Sequence, residues 1–255
     1  MKIYVCIKQV PDIDAPIRIR DGRLLLDRDR MVMNAYDASA LEAALVLTEE
    51  TEGDVEAVLI GPGKAGETIR KALAMGADSG THIVADTTGY DSAAYANILS
   101  AFFTGKTYNY IACGKQAQDT DSGLTGGMVA RLLNIPYVSN AVRVEGGHDG
   151  ITVTRQGDTG RELIDLPVPG LFTCSNDMNE PRIPGLKGIM QSKRKPVHVL
   201  SLDDLGIDKS SIKTHTRITG YEQIPGRKPG RTFEGEPGEI ARDVAALLNE
   251  ETGIS

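Results

Sequence analysis

The chain has 255 residues, enough for one large α/β domain plus an extension. Apolar residues make up 40%, with no Trp and only 5% aromatics, so Leu, Ile, Val and Ala must fill the core. A net charge of −7 lacks the basic face that nucleic-acid binding needs, and no run of about 18 apolar residues is present to span a membrane.

Ile3 to Ile7 reads as a first buried strand, with no charged-then-apolar leader before it. Pro11 stops any helix that might start after it, and residues 12–33 read as a small β excursion turning at Asp21-Gly22. Asn34 precedes Leu41, Leu45 and Val46 at helical spacing; it caps this helix or turns back to a loop farther along the chain. Residues 55–60 form a second strand, and Ala65, Ile69, Leu73 and Met75 mark an amphipathic helix ended by Gly76. A short strand at 82–84, a helix at 93–103 and a strand at 108–113 follow. The grammar to this point, βαβαβαβα, asks for a doubly wound, mostly parallel sheet with helices on both faces.

The fourth strand runs into Gly114-Lys115-Gln116-Ala117-Gln118-Asp119-Thr120-Asp121-Ser122-Gly123-Leu124-Thr125-Gly126, and then into helical spacing at Leu124, Met128, Val129, Leu132 and Leu133. A strand, a polar turn and a helix start present backbone N–H groups to an anion. Asp119 and Asp121 would repel a phosphate, so they cap the helix or meet a ribose hydroxyl or a base nitrogen. Two readings stay open here: a nucleotide site, or a polar connection with a capped helix. The loop has no Walker or Rossmann glycine pattern.

After Pro136 the pattern changes. Residues 137–144 and 151–155 read as antiparallel strands joined through Gly146-Gly147-His148-Asp149-Gly150, and 169–174 as another buried strand. A polar loop at 175–182 and a basic helix end at 187–195 follow. Residues 208–238 are rich in Gly, Pro and charge and have no core of their own; Ile240, Val244, Leu247 and Leu248 then line a last helix that docks on its own domain or on another subunit. Cys6, Cys113 and Cys174 lie in apolar runs and read as reduced core thiols of a cytoplasmic protein. His82, His148, His198 and His215 show no metal-binding spacing.

Several segments together resemble the β subunit of electron transfer flavoproteins over nearly the whole chain. They are Val5-Cys6-Ile7-Lys8-Gln9-Val10-Pro11-Asp12, Met33-Asn34-Ala35-Tyr36-Asp37, the run from Glu67 through Ala72-Leu73-Ala74-Met75-Gly76-Ala77-Asp78, the acidic loop, and Asn179-Glu180-Pro181-Arg182 before a Lys/Arg-rich stretch. The resemblance implies an adenine nucleotide α-hydrolase-like α/β domain at 1–207, with a small antiparallel β extension at about 137–174. It also implies a partner-recognition loop at 176–184 and an arm at 208–255 that wraps an α subunit and ends in a helix. It further implies a non-enzymatic carrier in fatty acid oxidation. The α subunit holds most of a redox-active FAD; electrons come from acyl-CoA-type dehydrogenases and pass to a quinone oxidoreductase or another acceptor.

Carried over residue by residue, the resemblance places an AMP among Cys6, Asn34, Ala35, Tyr36, Asp37, Ile60 and Gly114 through Thr125 (Lys115, Gln116, Ala117, Gln118, Asp119, Thr120, Asp121, Ser122, Gly123 and Leu124 between them). The electron-bifurcating branch holds a second FAD in the same pocket. Thr125-Gly126 and Asn179-Glu180-Pro181-Arg182 resemble the AMP branch. Leu124 stands where that branch usually has Gln, which removes a polar contact worth about 1 kcal/mol, and Ala35 stands where both branches usually have Pro. Met178 takes the place of the apolar anchor, an exposed side chain that plugs a dehydrogenase pocket or else folds back on its own loop, with Asn179, Glu180 and Pro181 beside it. Two other classes compete with this reading. A free-standing nucleotide-sensing domain would lack the arm from 208, and an ATP-pyrophosphatase would need a Ser-Gly-Gly-x-Asp-Ser loop where Lys8-Gln9-Val10-Pro11-Asp12 stands.

Overall fold

A computed structural model describes residues 1–27, 29–147, 150–226 and 229–252. The chain divides into two units, Met1–Gly220 and Tyr221–Ser255. The first begins with β1 (Lys2–Ile7), β2 (Gln9–Pro11), β3 (Arg18–Arg20), β4 (Arg23–Leu25), β5 (Met31–Met33), α1 (Ala35–Thr51), β6 (Asp54–Gly61), α2 (Gly66–Met75), β7 (Ser79–Val84), α3 (Ser92–Phe103), β8 (Tyr110–Gly114) and α4 (Thr125–Leu133). It continues with β9 (Tyr137–Gly146), β10 (Ile151–Gln156), β11 (Arg161–Leu166), β12 (Gly170–Cys174), α5 (Leu186–Ser192) and β13 (Val197–Ser201).

The main sheet has nine strands in the order β11-β10-β9-β12-β8-β1-β6-β7-β13. Every pairing from β9 to β13 is parallel; β10 and β11 are antiparallel additions at one end. The doubly wound, mostly parallel α/β fold expected from the sequence is therefore present. Its strand order reverses between β1 and β8, the place where open α/β sheets form a crevice beyond their strand ends.

Alternation along β1 builds two cores. Ile3, Val5 and Ile7 pack with α1 and α2 on one face, and Tyr4 and Cys6 pack with α3 and α4 on the other. A strand buried on both faces reads as a continuous apolar run, which is why β1, β6 and β8 were visible in the sequence. Asp21 and Gly22, both at positive φ, turn the β3–β4 hairpin as expected.

Several expectations need correction. The five residues of β12 are all buried, and the strand lies parallel between β8 and β9, so it belongs to the central sheet rather than to the antiparallel extension. β11 and β13 escaped the sequence reading because they are edge strands whose exposed positions break the apolar signal. Val46, Leu124 and Leu132, placed on buried helix faces by spacing, are exposed; the buried stripe of α4 is Gly126, Val129 and Ala130. Of the expected 146–150 turn, His148 and Asp149 lie outside the described residues.

The first unit extends past the expected boundary at 207 to Gly220. Asp91 supplies part of the reason. Its Oδ1 accepts the Ala94 N–H at 3.0 Å as the N-cap of α3, and its Oδ2 accepts the N–H groups of His215 at 2.5 Å and Thr216 at 3.0 Å. In the second unit α6 (Pro237–Thr252) carries Ile240, Val244 and Leu247 half-buried and Leu248 exposed. Asp91→Ala should cost about 1 kcal/mol through the lost cap and speed amide hydrogen exchange at His215 and Thr216. Exchange equal to the parent's at both amides would contradict this account of the tail.

Candidate functional site

At the crevice one carboxylate joins three elements. Asp37, in the first turn of α1 and buried, accepts the Lys8 N–H on Oδ2 at 2.7 Å and the Gly114 N–H on Oδ1 at 3.0 Å. Lys8 follows β1 and Gly114 ends β8, so Asp37 ties the two strand ends on either side of the switch point to a helix. Gly114 is required for this approach: a Cβ there would lie 2.3 Å from Asp37 Oδ1 and 2.6 Å from the Tyr36 Cβ.

Burial pushes the Asp37 carboxyl up from its ordinary 3.8 to about 7, against the amides of Lys8 and Gly114 that favour its charged form. The folded chain thus keeps a proton that the unfolded chain has lost. The contribution of Asp37 to stability falls as pH rises from about 4 to about 7.

The acidic loop is stitched to the start of α1. Asn34 stands at the N-cap position but makes no side-chain cap. Its Nδ2 donates to the Gln116 carbonyl at 2.9 Å and its Oδ1 accepts the Gln118 N–H at 3.1 Å. Gln118 Oε1 in return accepts the Ala35 N–H at 3.1 Å, the first orphan amide of the helix. Of the two expected roles for Asn34, the return to the loop is the one realised.

Within the loop the Ala117 N–H donates to the Ser122 carbonyl at 3.1 Å, closing a turn with Asp121 at positive φ. The Lys115 N–H donates to the Cys174 carbonyl of β12 at 2.8 Å. Neither acid caps α4, contrary to one of the expected uses. Asp119 accepts both contacts of the Lys8 ammonium at 2.7 and 2.8 Å, and Asp121 accepts from Gln116 Nε2 at 3.0 Å. Leu124, at the N-cap position of α4, offers no acceptor, so the first-turn amides from Thr125 onward have no side-chain cap. Gly126 lets α4 sit against β12, since a Cβ would meet Thr173 Cγ2 at 2.5 Å.

Cys6 and Ile60 are buried near the ends of β1 and β6, on the face of the sheet that packs with α3 and α4. Hydrogen bonding with Cys113 and burial hold the Cys6 thiol well above the usual range, so it is not a nucleophile at neutral pH. An open groove of about 510 Å³ touches Ala35, Tyr36, Gln118 and Asp121, and also Ile13 and Lys71. Two residues at the crevice stand outside the expected binding set, although the segment Cys6 to Lys8 was expected at this edge of the sheet. Lys8 pairs with Asp119 from 111 positions away, and Tyr95 on α3 presents its ring 5.6 Å from the Lys8 ammonium. The position of Lys8 just past β1 was a usable signal; Tyr95 gave none.

The 176–184 loop lies along α1. Asn179 Nδ2 donates to the Ser39 carbonyl at 3.0 Å, and the Ser39 hydroxyl donates to the Asn176 carbonyl at 3.4 Å. Met178, expected to be exposed, is half-buried against the core on the α1 face, because the loop is drawn down onto that helix. Glu180 is exposed and Pro181 half-buried. The exposed apolar side chains come later, at Ile183 (93%) and Leu186 (76%).

Gly114→Ala should lower stability by about 1–3 kcal/mol in denaturant unfolding, through a methyl driven against Asp37. An unchanged midpoint would contradict that packing. Asp37→Asn should remove one pH-dependent contribution, so that the difference in stability between variant and parent moves in favour of the variant as pH rises from about 4 to about 7. A difference constant across that window would show that Asp37 does not titrate there.

Residues 23–205 match the electron transfer flavoprotein domain family. The chain is 30% identical over 256 residues to the electron transfer flavoprotein subunit beta of Bacillus subtilis, with 100% of each chain covered. It is 35% identical over 253 residues to the subunit of the same name from Bradyrhizobium diazoefficiens, with 98% of each covered. It is also 30% identical over 259 residues to the caffeyl-CoA reductase-Etf complex subunit CarD of Acetobacterium woodii, again with 98% of each covered. With the match spanning the crevice, the acidic loop and the 176–184 loop alike, the chain belongs to the electron transfer flavoprotein family, as one of its β subunits.

Proposed function

We propose that this chain pairs with an α subunit, holds an AMP in the crevice beyond β1, β6 and β8, and presents the flavin of that partner to an acyl-CoA-type dehydrogenase. The observation that carries the nucleotide reading is the uncapped first turn of α4, placed directly after a loop with two carboxylates at the switch point. The donor set suits AMP. Backbone amides and the Thr125 hydroxyl serve the phosphate, Lys8 adds a cation, and Asp119 and Asp121 offer acceptors to ribose hydroxyls. Cys6 and Ile60 supply an apolar wall for the base. Asn34, Ala35, Tyr36, Asp37 and Gly114 hold the frame, and Lys115 through Gly123 form the loop itself.

A second FAD in the same crevice is the alternative. The groove beside Tyr36, Gln118 and Asp121 favours it by offering room for a longer ligand, as does the likeness to a subunit of a caffeyl-CoA reductase-Etf complex. Thr125-Gly126 favours AMP by resemblance, and we adopt it. Bound FAD supplies the one-electron chemistry; residues of this chain bind, orient and present. Electrons then leave to a quinone oxidoreductase or another acceptor.

The docking surface is the 176–184 loop continued into α5. With Met178 half-buried, the apolar contact passes to Ile183 and Leu186, joined by Met190, which is also exposed. Met178, Asn179, Glu180 and Pro181 shape the loop that carries them. Lys187, Lys193 and Arg194 give this patch a basic rim.

Ile183→Ala and Leu186→Ala in the assembled heterodimer should each raise the KM for reduction by an acyl-CoA dehydrogenase, on the order of tenfold for Leu186. A KM equal to the parent's in both variants would refute docking through this surface.

A further inference from the structure

The exposed stretch 183–190 is held at both ends. Downstream, α5 packs on α2 so closely that a Cβ on Gly188 would meet the Ala74 carbonyl at 2.5 Å. Arg70 Nη1 donates to the carbonyls of Ser192 at 2.7 Å and Lys195 at 3.0 Å. Lys195 Nζ in return donates to the carbonyls of Leu73, Gly76 and Ala77, at the C-terminal end of α2. Each of the two helices thus receives a cation from the other side at its C-terminal end.

Upstream, everything converges on Arg182. Its backbone N–H donates to Glu42 Oε2 at 3.0 Å. Its Nε reaches both Glu42 oxygens at 3.1 and 2.9 Å, and its Nη2 reaches Oε1 at 2.9 Å. The other side of the fork takes Glu49, with Nη1 to Oε1 at 2.6 Å and Nη2 to Oε2 at 3.4 Å. The Glu42 side chain is only 11% exposed, so its charge depends on this partner, whereas Glu49 is 60% exposed. Glu42 and Glu49 stand two turns apart on α1, so the fork spans a rigid rail rather than a loop. The hydrogen bond from Arg182 holds the Glu49 carboxyl below its ordinary range. The next residue along the chain is Ile183, the most exposed large apolar side chain of the segment.

We propose that Arg182 is a positioning residue for partner docking: by gripping Glu42 and Glu49 it fixes where the apolar stretch 183–190 leaves α1, and so presets the surface that an acyl-CoA-type dehydrogenase meets. The inference rests on the docking role proposed above for that stretch. Arg182 touches neither flavin nor nucleotide in this account. It acts by removing the ordering cost that a loose segment would meet on binding. Lys would keep the charge but not the planar fork that serves two carboxylates at once.

The test uses the heterodimer, reduced by an acyl-CoA dehydrogenase. Arg182→Met should raise the KM for the heterodimer about tenfold with kcat within about twofold of the parent. Flavin content, adenine nucleotide content and the turnover with ferricyanide of heterodimer reduced chemically rather than by the dehydrogenase, a reaction that needs no docking surface, should stay at parent values. Arg182→Lys should fall between, and Glu49→Gln, at the exposed arm of the clamp, should move KM in the same direction. Leu186→Ala reports on the docking reading itself. If Leu186→Ala raises KM while Arg182→Met and Arg182→Lys do not, the clamp is wrong and docking stands. If Leu186→Ala also leaves KM unchanged, the docking reading falls and the clamp falls with it. A raised KM accompanied by lost flavin or slowed ferricyanide turnover would mark a folding defect and overturn the positioning role. Should Arg182→Met fail to assemble, Arg182→Lys and Glu49→Gln decide alone, a raised KM supporting the proposal and an unchanged one overturning it.

Discussion

The carboxylate of Asp37 is the constraint on which the site depends. Parallel strands end in free amides, and beyond the switch point the chain must leave β1 and β8 in different directions. Asp37 accepts one amide from each departure, Lys8 and Gly114, and does so from the first turn of α1. Both carboxyl oxygens have an amide partner, which offsets part of the cost of burying the charge; the rest shows in the raised pKa. The arrangement works only because position 114 lacks a Cβ.

From that tie α1 becomes the beam of the functional surface. Its first turn is laced to the acidic loop through Asn34 and Gln118. Farther along, Ser39, Glu42 and Glu49 receive the 176–182 segment. The proposed nucleotide crevice and the proposed docking surface are therefore mounted on one helix, buried along much of its length. A binding surface on a rigid element keeps its geometry better than one on a free loop.

Much of this was legible in the sequence, and what was not has identifiable causes. β1, β6 and β8 announced themselves because burial on both faces leaves nearly continuous apolar runs, with Glu56 of β6 a buried exception paired to Lys2 and Thr81. The β3–β4 turn was readable from Asp21-Gly22, a local pair with a local conformational reason. The contact between Asp37 and Gly114 spans 77 positions and that between Lys8 and Asp119 spans 111, so nothing in the neighbourhood of any of these residues signals it. Met178 illustrates the limit in another way. An apolar residue in a polar loop reads as a plug for a partner or as a foot folded back on its own loop, and the seating of the loop on α1 through Asn179 and Arg182 leaves Met178 half-buried. Edge strands β11 and β13 were missed because most of each faces solvent, with Arg161, Glu162 and Asp165 in one and His198 and Ser201 in the other diluting the pattern.

The chemistry of the chain is that of a holder. Burial holds the Cys174 thiol well up, and hydrogen bonding with Cys113 does the same for Cys6, so both remain neutral packing groups beneath the crevice. In the proposed reading, the polar groups above them serve an adenine nucleotide. The measurement that tests this most directly is acid release of nucleotides from the purified heterodimer, counted per complex. One FAD and one AMP are the predicted yield. A flavin-replete complex that releases no second adenine compound would contradict the account.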